Sequence, residues 1–177
     1  MDYKFKELTK LGASGVQHLN GSLIDHLICT KELLAAWSAS TELQDAGLYH
    51  AVYGTSGLNN ELVSVKQRST IADIIGEKAE EIVYQYCACD REFFWPKFEL
   101  ENNPDFRNRF SAEIYKIKPE ILKNFCELTV ANELEIASKR PGFITSGGVL
   151  HRLFLAMYPQ LSSAARRSVD DAIKNIS

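Results

Sequence analysis

The amino-acid sequence predicts an all-α fold, a bundle of about six to eight helices in a single domain covering residues 1–177. Three observations predict this fold. Apolar residues recur every three or four positions over most of the chain, which is the period of an amphipathic helix. Capping residues, proline and glycine mark the starts and stops expected of helices. No segment alternates apolar and polar residues convincingly, so no strand is predicted.

Each helix is predicted from its own boundary signals. Ser22, followed three positions later by Asp25, resembles a capping box ahead of the first long helix. Thr70 opens a later helical segment that Gly76 interrupts, and Pro119, preset for a first helical turn, opens the longest helix. The predicted helices cover residues 4–11, 22–37, 41–53, 70–90 with a break at Gly76, 119–139, 149–158 and 162–176.

Residues 91–110 form the one long stretch without helical periodicity. The stretch holds six aromatic residues among prolines, asparagines and arginines. A flexible linker would not expose six aromatic rings, because large apolar surface is stabilised by burial. We therefore expect an irregular aromatic cover that packs as a lid over a functional cavity.

Composition excludes several classes of function. The 20 basic and 23 acidic residues give a formal charge of -3, which offers no basic field for a nucleic-acid backbone or an anionic membrane. The N-terminal residues lack the apolar segment of a signal peptide, and no run of 18 apolar residues occurs. The four cysteines form no CxxC pair, which favours reduced core thiols. We expect a cytoplasmic protein with a small-molecule substrate or ligand and no nucleic-acid or membrane partner.

Two histidines 24 residues apart mark the candidate site. His26 lies at the margin of the apolar face of the helix over 22–37, and His50 lies on the apolar face of the helix over 41–53. A buried imidazole without a partner costs about 1–3 kcal/mol, so two such rings on adjacent helices predict one shared site, with ring nitrogens within about 5 Å. The alternative to a shared functional site is that both are core histidines whose ring nitrogens are hydrogen-bonded.

The order of these elements resembles the HD-domain superfamily of helical, metal-dependent phosphohydrolases. Residues 48–55 are similar to the His-Asp helix of HD proteins that hydrolyse guanosine tetraphosphate, and residues 130–132 are similar to their Ala-Asp element. A closer resemblance, over residues 18–135, is to an uncharacterised bacterial family of HD-like helical domains. The residues that carry it are His18, Asp25-His26-Leu27, Gly47-Leu48-Tyr49-His50, Tyr53-Gly54-Thr55, Cys89-Asp90-Arg91 and Ala131-Asn132-Glu133.

The chain departs from the HD pattern at two positions. Ala51 stands where an HD enzyme has the aspartate of its His-Asp pair, and Asn132 stands where it has its final aspartate. Hard cations prefer oxygen anions, so the site has lost two of its expected ligands. His18, His26, His50 and Asp90 are candidate replacement ligands, a set that suits zinc, iron or manganese.

The resemblance implies a metal-dependent hydrolase that uses a metal-bound water, with phosphate esters as one class of substrate. Asp25 or Glu133 would carry the proton released from that water, and Tyr53 would donate a hydrogen bond into the site. The residues expected to bind substrate are Asn132, Arg91 and Arg107. An iron oxygenase on the same site and a non-catalytic binding or interaction module are the alternatives. Each candidate also has a structural interpretation: Asp90 as a helix-terminating or arginine-paired residue, Asn132 as a brace, and Tyr53 as core filler.

Overall fold

The computed structural model describes residues 3–18, 21–58 and 60–174, and the chain divides into two compact units, Met1–Ala88 and Cys89–Ser177. Nine α-helices and two short hairpins lie within the described residues. The all-α fold class is therefore confirmed at the level of helical content, and the HD-like arrangement and the single domain stay predictions.

Five helices build the first unit. A short hairpin of β1 and β2 precedes the second of these helices, and two 3-10 turns connect other elements. The elements are α1 (Tyr3–Lys10), a 3-10 turn (Ala13–Gly15), β1 (Gln17–His18), β2 (Gly21–Ser22), α2 (Leu23–Ala36), α3 (Thr41–Tyr49), a second turn (Val65–Gln67), α4 (Arg68–Ile75) and α5 (Glu77–Cys87).

Helix boundaries in this unit follow the sequence signals closely. The Ser22 side chain accepts a hydrogen bond from the Asp25 amide at 3.3 Å, so the predicted cap of α2 is confirmed. Gly76 separates α4 from α5 with a φ of 89°, a conformation that costs glycine little. Helix α3 is shorter than predicted, because it ends at Tyr49 and His50 is its C-cap. The residues from Ala51 to Tyr53 form a turn.

The second unit is built around its longest helix. Residues 125–133 of that helix are buried on every side, which marks it as the centre of the unit's core. The elements are α6 (Arg91–Phe94), a 3-10 turn (Trp95–Glu99), β3 (Asp105–Arg107), β4 (Ile114–Lys116), α7 (Pro119–Ser138), α8 (Val149–Met157), a 3-10 turn (Tyr158–Gln160) and α9 (Ser163–Lys174).

Two expectations about regular structure were wrong. The segment 91–110 contains a helical turn, a 3-10 turn and a strand, and Phe94 and Phe106 pack edge to face in the core with ring centroids 5.0 Å apart. Strands β3 and β4 also form an antiparallel pair over three residues each. A strand of three residues is too short to show alternation, so periodicity could not predict this hairpin. The lid hypothesis for this segment stays a prediction.

Candidate functional site

His26 and His50 meet inside the first unit. Their Nε2 atoms are 3.2 Å apart, and each residue is only 2% exposed. The rings stand nearly perpendicular, with centroids 5.1 Å apart. The prediction that both imidazoles point inward with nitrogens within about 5 Å is therefore confirmed.

The backbone fixes which nitrogen of His50 faces His26. Nδ1 of His50 lies 2.7 Å from the carbonyl oxygen of Gly47, and since a carbonyl only accepts, Nδ1 carries a proton and donates it. In the neutral ring Nε2 then holds a lone pair, so His26 Nε2–H donates to it. One hydrogen bond between the rings and one to the backbone satisfy both His50 nitrogens.

Gly47 makes the close approach of α2 and α3 possible. A Cβ at this position would lie 2.6 Å from Cδ1 of Leu34 and 3.4 Å from the Cα of Lys31. The glycine thus lets α2 lie against the backbone of α3 one turn before His50. A glycine in a helix permits the close approach of a ligand or of another helix, and at Gly47 the approach is to a helix.

The floor of the histidine pair is aromatic and apolar. Tyr86 packs edge-on against His50 with centroids 5.4 Å apart, and the Cys87 thiol donates to the His50 carbonyl at 3.1 Å. Both come from α5. Three helices of the first unit therefore hold the pair in place.

A metal ion would need more ligands than these two imidazoles. Two nitrogens bound to one tetrahedral zinc lie about 3.3 Å apart, so the His26–His50 distance of 3.2 Å suits a metal as well as a hydrogen bond. Among the described residues, however, no group of three His, Cys, Asp or Glu side chains is placed to hold an ion. The side chain of His18 lies outside the described residues. The two described imidazoles by themselves are too few ligands for a protein metal site, and we assign no chemical step to a metal.

Tyr53 belongs to a partly buried charge cluster in the same unit. Its hydroxyl donates to Glu80 at 2.9 Å, and Arg68 bonds both oxygens of that carboxylate, at 2.7 and 2.6 Å. The Arg68 guanidinium also lies 3.8 Å above the Tyr84 ring centroid. Burial, and then the Glu80 carboxylate, raise the pKa of Tyr53 well above its ordinary value. The predicted catalytic tyrosine thus holds its proton in a structural network, and Glu80 is a member that the sequence analysis missed.

Asp90 caps a helix and pairs with arginine. One oxygen accepts from the Phe93 amide at 3.1 Å, as an N-cap of α6, and the other contacts the Nε and NH2 of Arg107 at 2.8 and 2.6 Å. The predicted metal ligand and the predicted substrate arginine therefore contact each other. Asp25, a predicted proton carrier, is exposed and bonded to Ser22 at 2.6 Å.

Three further predicted residues meet in the second unit. Glu133, which is buried, accepts from Asn132 at 2.9 Å and from Arg91 at 3.3 Å. The Arg91 guanidinium extends over the Trp95 ring, 4.8 Å from its centroid. Asn132, Glu133 and Arg91 thus form one hydrogen-bonded group, although the sequence analysis assigned Glu133 to proton transfer and the other two to substrate binding.

A cavity of about 320 Å³ opens beside this group. Its wall consists of Arg91, Glu92, Trp95, Pro96, Glu99, Val149, Arg152 and Leu153. The indole nitrogen of Trp95 is buried without a hydrogen-bond partner among the described residues. Apart from Arg91, the sequence analysis named none of these residues as a binding residue. A cavity between two separate chain segments leaves no periodic signal.

The family comparison covers most of the first unit. Residues 7–91, just under half of the chain, match a family described as a domain of unknown function, DUF6817, and that description assigns no activity. No curated protein and no solved structure matches the chain. Within the described residues, every helix is too short or too polar to cross a membrane.

Proposed function

We propose that the chain is a divergent HD-like module that binds a small molecule in the cavity of its second unit. The cavity itself is the observation that carries the proposal. Its volume of about 320 Å³ lies within the range of small-molecule sites, which is roughly 300–1,000 Å³. Its wall combines apolar side chains with a few charged groups, the composition typical of such sites.

The polar side of the cavity is preorganised. Arg91 is held by the buried Glu133 and lies over Trp95, so its position is fixed before any ligand arrives. The indole nitrogen of Trp95 finds no partner in the described part of the chain, and an unsatisfied buried donor costs about 1–3 kcal/mol in a folded protein. Native structures keep few such groups, and a functional role is one reason for keeping one.

The contacts of the predicted acids also favour binding over hydrolysis. Asp90 is engaged by Arg107 and by the cap of α6, and Glu133 is engaged by Arg91 and Asn132. A general base must reach the proton that it takes up, and Glu133, a predicted proton carrier, is instead held in structural contacts. Asp90, predicted as a metal ligand, is likewise held by Arg107.

Tryptophan fluorescence with small ring compounds tests the proposal. The chain has two tryptophans, and only Trp95 lines the cavity, so a Trp37→Phe protein reports on this site. We expect benzyl alcohol, which does not absorb at the red edge of the tryptophan band, to change the Trp95 emission in a saturable way. Val149→Phe, at an exposed position of the wall, should abolish the change by filling the cavity. Leu155→Phe, at an exposed position on the same helix, is the matched control. Equal binding by both variants would refute the proposal.

A metal-dependent hydrolase is the second candidate, and the orientation of His50 favours it. Metal-binding histidines commonly donate their second ring nitrogen to a backbone carbonyl, as His50 Nδ1 does to Gly47. Elemental analysis of protein purified without chelators tests this candidate. A stoichiometric ion that His50→Ala removes and His151→Ala retains would support it, with bound iron favouring the oxygenase alternative. Metal-free protein that added manganese, iron or zinc leaves unstabilised would exclude it.

A further inference from the structure

We infer that the ligand of this cavity is an uncharged ring compound with a hydrogen-bond acceptor, such as an aromatic amide whose carbonyl oxygen bonds the indole N–H of Trp95. The inference rests on the proposed function, since it assigns the charge and the hydrogen-bonding group of the ligand of the same site. Two features of the wall carry it: its balanced charge and the unsatisfied indole nitrogen.

The wall of the cavity carries no net charge. Its charged residues are two arginines and two glutamates, namely Arg91, Arg152, Glu92 and Glu99. Arg152 contacts Glu99 at 3.0 Å, and Arg91 contacts the buried Glu133 at 3.3 Å. Both guanidinium groups are thus paired with carboxylates of the protein, and an anionic ligand would have to compete with them.

The other two charges near the cavity are of opposite sign. Glu92 is exposed, and Lys97, on the same 3-10 turn as Trp95, places its ammonium 3.6 Å from the centroid of the Phe93 ring. An exposed charge attracts a ligand ion only weakly, because water screens it. A ligand ion would also lose part of its hydration in the cavity without gaining a dedicated counter-ion. We therefore expect an uncharged ligand.

The indole N–H of Trp95 determines the hydrogen-bonding group of the ligand. Its nitrogen is buried and has no partner in the described part of the chain, and an indole N–H only donates. The missing partner is therefore an acceptor, and a carbonyl oxygen is an uncharged one. Because the nitrogen is covered while the half-buried Trp95 lines the cavity, a small rotation of the indole is needed to bring its N–H to the ligand.

The apolar part of the wall selects a ring. Trp95, Pro96, Val149 and Leu153 supply this surface. A volume of about 320 Å³ lies at the lower end of the small-molecule range and suits a single ring with a short substituent.

Four ring compounds separate charge from hydrogen bonding. Benzamide, benzoate and benzamidine have nearly the same shape and carry charges of about 0, -1 and +1 at pH 7, whereas toluene has the ring without an acceptor. We expect the Trp37→Phe protein to bind benzamide about fivefold more tightly than either charged compound, a factor within the range of one hydrogen bond. Labelled with ¹⁵N, this protein keeps one indole N–H resonance, which benzamide should move downfield as the new bond forms.

A matched pair of tryptophan variants identifies the donor. Trp95→Phe keeps a ring in the wall and removes the N–H, whereas Trp37→Phe leaves the wall intact. In ligand-observed NMR titrations, the affinity for benzamide relative to toluene should be about fivefold lower in Trp95→Phe than in Trp37→Phe. The indole resonance decides the question even if Trp95→Phe fails to fold.

Three results would each overturn the inference and leave the proposed function standing. They are a charged compound that binds as tightly as benzamide, an indole resonance that does not move downfield at saturation, and an equal affinity ratio in the two variants. Failure of every compound to bind in a way that Val149→Phe abolishes would overturn both.

Discussion

The hydrogen bond between His26 and His50 predicts a measurable coupling between the two positions. Either histidine replaced by leucine leaves the other imidazole buried without its bond to the partner ring, at a cost of about 1–3 kcal/mol. His50→Leu also removes the bond to the Gly47 carbonyl, worth about 1 kcal/mol more. The double variant loses the shared bond only once, so it should be less destabilised than the sum of the single variants by about 1–2 kcal/mol.

Urea unfolding of the four proteins, followed by far-UV circular dichroism, measures this coupling. At pH 8 a free imidazole is neutral, so changes in histidine charge do not enter the comparison. EDTA should leave the unfolding midpoint of the wild type unchanged, because the bond needs no ion. Costs that add within about 0.3 kcal/mol would refute the hydrogen-bonded pair. A wild-type midpoint lowered by EDTA would instead indicate a bound metal.

Three further predictions concern packing, titration and thiol access. Gly47→Ala should lower the free energy of unfolding by about 1–2 kcal/mol, because the new Cβ meets Leu34 at 2.6 Å and this strain exceeds the gain in helix propensity. Adding Leu34→Val should recover part of that loss. Strictly additive effects of the two substitutions would contradict the predicted contact. The raised pKa of Tyr53 stabilises the fold fully below about pH 10, the ordinary tyrosine value, and this contribution is lost as the pH rises further. Urea midpoints between pH 8 and 11 should therefore fall less in Tyr53→Phe than in the wild type, and parallel curves would refute the contribution. Burial raises the pKa of the Cys89 and Cys126 thiols, which makes them poor nucleophiles. A thiol reagent should therefore modify the partly exposed Cys29 in the native protein and the buried thiols only after unfolding. Labelling of all four cysteines in the native protein would contradict the buried positions of Cys87, Cys89 and Cys126.

Local signals in the sequence determined most of the helical structure. The cap at Ser22, the break at Gly76 and the start at Pro119 all lie where the sequence predicted them. Such signals act within one or two turns of a helix, through backbone hydrogen bonds and fixed φ angles. The burial of His26 and His50 was also predicted, because helical periodicity reports which face of a helix is apolar.

The partners of the site residues were decided only by the tertiary structure. Asp90 and Glu133 were predicted to act on a metal or a proton, and the fold gives them Arg107 and Arg91 instead. A carboxylate contacts whichever cation the packing brings within about 4 Å, and sequence spacing does not encode that distance. The cavity beside Trp95 has the same origin, since it joins residues 91–99 to residues 149–153. The sequence thus determined which side chains are buried on each helix, and the packing of those helices decided what each buried group contacts.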